Sequence, residues 1–349
     1  MGAVTLADVA ILAGVSQPTA SRVLNGSTRK PAAHVVEAVR KAADELGYIA
    51  NAQAQALARA SSGLLGLVVQ DIADPFFSVI AAGVQETADQ EHRQLMLAVT
   101  ARSPERELAA AQTFIAHRAD AIVLTGSPWS SRSAGRLRTR LRSDLDRYVD
   151  SGGRVAVIGK SLPGAHAVIL ENRRGAAALG QALTAHGAKD FLVAAGPAQL
   201  TTAQDRTAGF IGALGDSGLE PVGVAHSDLT RDGGYAAASE LLTVRPRRKG
   251  RAPVVFAVTD LMALGVMAAI RDAGLRIPDD VQVAGFDDIP TLRDHTPGLT
   301  TVRLPLHDMG RRAATFALSQ GSELFTHRVF GEVVLRGSTL QSAPDALTR

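Results

Sequence analysis

Residues 6–26 read LADVAILAGVSQPTASRVLNG. Leu6, Val9, Ala10 and Ala13 recur at three- and four-residue spacing, which predicts a short helix over Leu6–Ala13. Gly14 ends it, because glycine adopts the left-handed conformation of a tight exit at little cost. Ser16 is placed to cap a second helix, whose first turn tolerates Pro18. Ala10 is small where two helices cross, and Val15, Ala20 and Val23 make an inner apolar face. The outer face carries Gln17, Pro18, Ser21, Arg22 and Asn25. This pattern predicts a helix-turn-helix, whose second helix enters the DNA major groove N-terminus first. Gln17 can read an adenine edge, and Arg22 a guanine edge or a phosphate. An ordinary helical hairpin has the same apolar pattern. Residues 1–60 carry six Lys/Arg against four acids, a modest excess for a nucleic-acid binder.

Working outward, Val35, Val36, Val39, Ala42, Ala43 and Leu46 keep the helical period. The NGSTRKP stretch at 25–31 is rich in turn residues, so Pro31 is expected to open this third helix and Gly47 to close it. From about residue 63 the pattern changes. Short apolar runs now alternate with amphipathic stretches: Leu64–Val69, Leu95–Val99, Ala121–Leu124, Val155–Ile158, Val168–Leu170, Phe191–Ala194, Val222–Ala225, Val254–Val258 and Val281–Ala284. Strand–helix alternation of this kind predicts parallel sheets covered by helices, an α/β class in two doubly wound halves. The first crossover between halves is placed near Lys160. Ala52 to Ser62 is small, polar and weakly helical, as a linker would be.

Composition narrows the function. The chain has 349 residues, 46% hydrophobic and 20% charged, which excludes disorder for most of it. It has no cysteine, so disulfides, thiolate zinc sites and cysteine nucleophiles are excluded. No apolar run of about 18 residues is present to span a membrane. Met1 to Ala13 lacks a basic n-region and carries Asp8, unlike a secretory signal, so a cytoplasmic location is expected. A net charge of +3 favours an anionic partner only weakly. Gly159-Lys160-Ser161 resembles the end of a phosphate loop, but Arg154 stands where its opening glycine is required. There is no G-x-S-x-G or H-E-x-x-H, and the nine histidines are scattered singly. No catalytic residue, metal ligand or cofactor is assigned. Arg136, Arg138, Arg140 and Arg142 are expected on an exposed helix, and Arg245–Arg251 in a solvated loop.

The opening stretch, with AADELGYIANAQAQALA at 42–58, resembles the head of the lac-repressor/galactose-repressor (LacI/GalR) family. DPFF at 74–77, DRTAGF at 205–210, TDLMALGVMAAI at 259–270, GLRIPDDVQVAGFDD at 274–288 and LTTVRLP at 299–305 look like the same family's effector domain, in the same order. The resemblance implies a homodimeric transcription factor on a pseudo-palindromic DNA operator. Its core then resembles a periplasmic sugar-binding protein holding a small molecule, most simply a carbohydrate, between two lobes. It implies a headpiece over 1–50, a hinge over 51–62 and an effector and dimerisation domain over 63–349. The chain would cross three times, giving an N-lobe of 63–160 with 302–322 and a C-lobe of 161–301 with 323–343. Thr5, Ser16, Gln17, Pro18, Thr19, Ser21, Arg22, Asn25, Asn51 and Gln55 form the expected DNA-binding set. Leu57 matches the leucine that wedges into the central base step and kinks the duplex. Pro18 lacks a polar tip, Gln55 stands where the family usually has Arg, and Pro31 where it often has a capping Ser.

Ligands of open α/β sheets bind beyond the carboxyl ends of the strands. The residues after the runs are therefore the effector candidates: Asp74 to Phe77, Ser127 and Trp129, Lys160, Arg206, Thr259 and Asp260, Phe286 and Asp287. Aromatic faces suit the apolar face of a sugar ring, and Arg and Asp grip hydroxyls in pairs. The resemblance points to Phe76, Phe77, Arg206, Thr259 and Asp287. Thr259 replaces a frequent Asn and Lys160 a frequent Arg. Leu229 sits where some members place a Trp, for which Trp129 would compensate. Two rival classes remain: a binding protein with no DNA role, and an enzyme on the same scaffold.

Overall fold

Thr5 starts the first helix through a reciprocal cap. Its hydroxyl accepts from the Asp8 N–H, and the Asp8 carboxylate accepts from the Thr5 N–H at 2.8 Å. In this computed structural model the described residues are 4–25, 31–49, 61–126, 132–246, 251–321 and 323–339. Asn51, Gln55, Leu57 and Trp129 lie outside them, as does most of the expected hinge over 51–62. The chain divides into two units, Met1–Gly63 and Leu64–Arg349.

The first unit holds α1 (Leu6–Leu12), α2 (Gln17–Asn25) and α3 (Ala33–Leu46). Gly14, at φ 65°, makes the left-handed turn between α1 and α2. Val9, Ala10, Ala20, Val39, Ala42 and Ala43 are buried between the three helices. Gly47 closes α3 in the left-handed conformation, and Ala32 rather than Pro31 is its N-cap.

The second unit opens with β1 (Leu64–Val69), α4 (Pro75–Gln90), β2 (Gln94–Val99), α5 (Pro104–Ala116), β3 (Ala121–Gly126), α6 (Arg132–Asp150), β4 (Arg154–Gly159) and β5 (His166–Leu170). Then come α7 (Asn172–Ala185), β6 (Phe191–Ala195), α8 (Thr201–Asp216), β7 (Gly223–His226), α9 (Arg231–Val244), β8 (Val254–Ala257), α10 (Asp260–Asp272) and β9 (Gln282–Ala284). It ends with β10 (Thr301–Arg303), α11 (Leu306–Leu318), β11 (Thr326–Val329) and β12 (Glu332–Val334). Each of the nine apolar runs is a strand. Arg136, Arg138, Arg140 and Arg142 are exposed on α6.

Ten of these strands form two parallel sheets, ordered β11-β5-β4-β3-β1-β2 and β7-β6-β8-β9, and β10 and β12 make a separate two-stranded pair. Alternation along β1 shows how the first sheet is buried on both faces. Leu65, Leu67 and Val69 join the core that includes Phe77, Ile80, Val84 and Met309 of α4 and α11. Val68 joins the opposite core, with Leu108, Phe114, Leu141 and Leu145 of α5 and α6. In the second sheet α7 packs on α8, and α9 on α10.

The expected crossover near Lys160 is corrected by the strand pairing. The chain stays in the first sheet through β5 and leaves only after Leu170. A parallel neighbour normally needs a helical crossover, but β5 is staggered. Its first residue, His166, sits level with Ala156, so the short link from Gly159 drops only part of a strand length. Thr326–Val329, expected in the C-lobe, pairs with β5 as the edge of the same sheet. The second passage, between β10 and α11, and the third, between β11 and β12, run side by side because β10 and β12 pair antiparallel.

Candidate effector cleft and DNA-reading surface

In the first unit α2 presents the side chains that the sequence singled out. Ser16 caps it, with its Oγ accepting from the Thr19 N–H and lying 2.8 Å from the Thr19 hydroxyl. Ala20 is fully buried, which turns Gln17, Pro18 and Arg22 outward into solvent. Ser21 and Thr19 are half-buried, and Asn25 is the last residue of α2. Thr5, Ser16 and Thr19 therefore all hold helix termini. The exposed N-terminal end of α2 has the form of a groove-reading element.

In the second unit a cleft opens at the carboxyl ends of the strands, with a volume of about 590 Å³ counting its open mouth. From the first sheet come Asp74, Phe76 and Phe77 at the start of α4, with Thr125 and Gly126 at the end of β3. Asp74 caps α4, accepting from the Phe76 N–H at 3.0 Å. Burial pushes its carboxyl up, opposed by that N–H and by Arg102. Arg102 lies 3.7 Å from Asp74 and 3.8 Å from Asp71, and donates to the Leu229 carbonyl at 3.2 Å. Ala101 and Arg102 have φ of 49° and 61°, sparsely populated for side-chain-bearing residues and frequent at functional sites.

From the second sheet come Arg206, Thr259 and Asp287. Arg206 is only 2% exposed. It donates to the Asn172 Oδ1 and to the Val258 carbonyl, both at 2.8 Å, and pairs with Asp287 at 2.8 Å. Its guanidinium lies 4.0 Å over the Phe286 ring, a cation–π contact. Burial pushes the Asp287 carboxyl up, while the adjacent Arg206 guanidinium pulls it back down. Thr259 caps α10 through the Met262 N–H. Such an arrangement can hold hydroxyls in pairs against the Phe76 and Phe77 rings.

Two expected effector residues stand elsewhere. Asp260 is fully buried and does not line the cleft. Its carboxylate accepts from the Thr301 hydroxyl at 2.6 Å and the Ile289 N–H at 3.1 Å, which ties α10 to the β9–β10 region. Lys160 is exposed and lines a neighbouring pocket with Glu107 and Arg138, where burial pushes the Glu107 carboxyl up against Arg138. The cleft also contains residues the sequence reading omitted, among them Gln70, Arg102, Asn172 and Thr202. Arg102 follows the second apolar run and Asn172 the fifth, so the strand-end rule applied to every run finds both.

Comparison with known proteins agrees with this geometry. Residues 5–51 match the model of bacterial regulatory proteins of the lacI family, and residues 180–339 that of a periplasmic binding protein-like domain. The HTH-type transcriptional regulator GalS of Salmonella typhimurium is 33% identical over 321 residues, 90% of this chain and 89% of that one. The lac repressor dimer bound to operator and the anti-inducer ONPF superimposes with a TM-score of 0.81 at 27% identity, over 97% of this chain and all of that one. The complex of the transcriptional regulator CelR with cellobiose gives 0.67 at 29% identity, over 96% and 99%. With a DNA-reading three-helix unit ahead of a two-sheet ligand-binding unit, and with relatives matched along nearly their whole length, this chain belongs to the LacI/GalR family of DNA-binding transcriptional regulators, which are not enzymes.

Proposed function

We propose that the chain is a cytoplasmic, homodimeric repressor. Two headpieces read the halves of a pseudo-palindromic operator, and a sugar or sugar derivative in the cleft sets its operator affinity. The observation that carries the effector reading is the buried Arg206–Asp287 pair beside Phe76 and Phe77. It supplies fixed polar groups against flat apolar faces, as sugar rings require. The cellobiose held by CelR supports the same chemistry.

Phe76, Phe77, Arg206, Thr259 and Asp287 contact the effector. Gln17, Pro18 and Arg22 face the bases. Thr5, Ser16, Thr19, Ser21, Asn25, Asn51 and Gln55 position the headpiece and its connection, and Leu57 enters the minor groove. Effector binding changes how the two lobes close and so the spacing of the two connections to DNA. Operator and effector are then reciprocally coupled, by about 1–3 kcal/mol in typical cases.

The test is a salt series of binding to the DNA upstream of the protein's own gene, with and without a panel of sugars. Sequence-dependent binding, a steep salt slope and a shift with one sugar are expected. Weak, sequence-indifferent binding with every ligand would leave only a binding protein.

A further inference from the structure

We infer that the effector is an uncharged polyol: a neutral sugar or glycoside without phosphate, carboxylate or ammonium. This rests on the sugar reading above and adds the charge class. Among the described residues, the charged side chains lining the cleft are Asp74, Arg102, Arg206 and Asp287. They balance two against two, and each is already paired inside the site. Arg206 faces Asp287 at 2.8 Å, while Arg102 lies between Asp74 and Asp71 at 3.7 and 3.8 Å. The Arg206 and Asp287 side chains are 2% and 5% exposed, and those of Arg102 and Asp74 are 16% and 9%.

Sites that read an anion leave a cation uncompensated for it. Here a phosphate would meet two guanidiniums already neutralised and two carboxylates beside them. It would lose its hydration and gain like-charge contacts. An ammonium meets the mirror problem. A hydroxyl fits, since it both donates and accepts, and Gln70, Thr125, Asn172 and Thr259 add neutral partners of the same kind.

Lys160 belongs to the adjoining pocket rather than to the cleft.

The experiment is calorimetric titration of the full-length protein with matched ligands. These are neutral pentoses, hexoses and disaccharides, their phosphates, the corresponding uronic acids and amino sugars. At least one neutral sugar is expected to bind, and its charged counterparts to bind about 100-fold more weakly or worse. The variant Asp74→Asn sharpens the test, because asparagine caps α4 as well as aspartate does. It removes one carboxylate beside Arg102, so the phosphate derivative should gain about tenfold relative to its neutral parent. A phosphate or uronate binding as tightly as its parent to the unaltered protein overturns the inference while leaving the sugar reading intact. So does an unchanged ratio in Asp74→Asn. Failure of every sugar, charged or neutral, removes the sugar reading and this inference with it.

Discussion

Arg206 and Asp287 form an ion pair 2.8 Å apart in which the guanidinium is almost wholly buried and also stacks over Phe286. Arg206 comes from α8 and Asp287 from the loop after β9, so the pair ties a helix to a strand end of one lobe where both line the cleft.

Removing one partner strands the other. Arg206→Ala should cost about 3–5 kcal/mol of stability in the second unit, because Asp287 keeps its burial and loses its counter-charge. Effector response should disappear. Arg206→Lys separates the two effects. It keeps the charge but cannot reproduce the planar contacts to Asn172, Val258 and Asp287. It should melt closer to the unaltered protein and still lose most effector affinity. Thermal denaturation beside effector titration reads both quantities.

Stability should also depend on pH through buried carboxyls. Burial raises Asp260 from 3.8 to about 6, although Thr301 and Ile289 donate to it. The folded state thus holds this proton more tightly than the unfolded chain. The resulting stabilisation is full below about pH 4 and is lost as pH rises to about 6, at most about 3 kcal/mol in all. Asp280 has the opposite sign. The Arg276 N–H and then its guanidinium hold it below its ordinary value, so its contribution falls away only under more acid conditions. Urea midpoints from pH 4 to 7 should fall less steeply in Asp260→Asn than in the unaltered chain. Parallel slopes would exclude Asp260 as the source.

What the sequence made legible was whatever is written in local period and turn chemistry. The 3.6-residue period and Gly14 define the helix-turn-helix, and the apolar runs mark nine strands. Asp260 shows the limit. It follows a strand, as ligand residues do, yet its carboxylate is engaged by Thr301, 41 residues further on. Nothing local announces that partner. Lys160 fails for a similar reason: Gly159, at φ 128°, redirects the chain and leaves the lysine in the adjoining pocket. The stagger of β5 against β4, which delays the crossover, is likewise a property of pairing rather than of either strand.

In the headpiece, exposed polar residues on a packed helix should alter recognition without altering folding. Gln17→Ala should relax base preference at one position of each half-site, by about 1–3 kcal/mol, with an unchanged melting temperature. Arg22→Ala distinguishes its two possible roles. Loss of a phosphate contact weakens all sequences alike and lowers the salt slope by about one. Loss of a guanine contact changes one base position instead. Binding to a library of single-base operator variants at two salt concentrations reads these outcomes.

The last prediction concerns α11, which returns to the first sheet after the second crossing. It meets α4 at backbone distance. A Cβ on Gly310 would lie 2.1 Å from the Ile80 carbonyl oxygen, and one on Gly83 would lie 2.0 Å from that of His307. Neither obstacle is a side chain that can rotate away, so the helices themselves must separate. Gly310→Ala should therefore destabilise by about 1–3 kcal/mol or more. Gly212 is a control on the exposed side of α8, where a Cβ meets nothing within 4 Å. There the same methyl should stabilise by about 0.5–1 kcal/mol, because alanine gives up less backbone freedom in a helix. Opposite signs for one chemical change would show that close approach, not helix propensity, selects glycine at Gly310. Because α11 is reached directly from β10, its displacement should also blunt the effector response of Gly310→Ala and leave that of Gly212→Ala intact. Denaturant midpoints with effector-dependent operator release, measured on both variants, decide it.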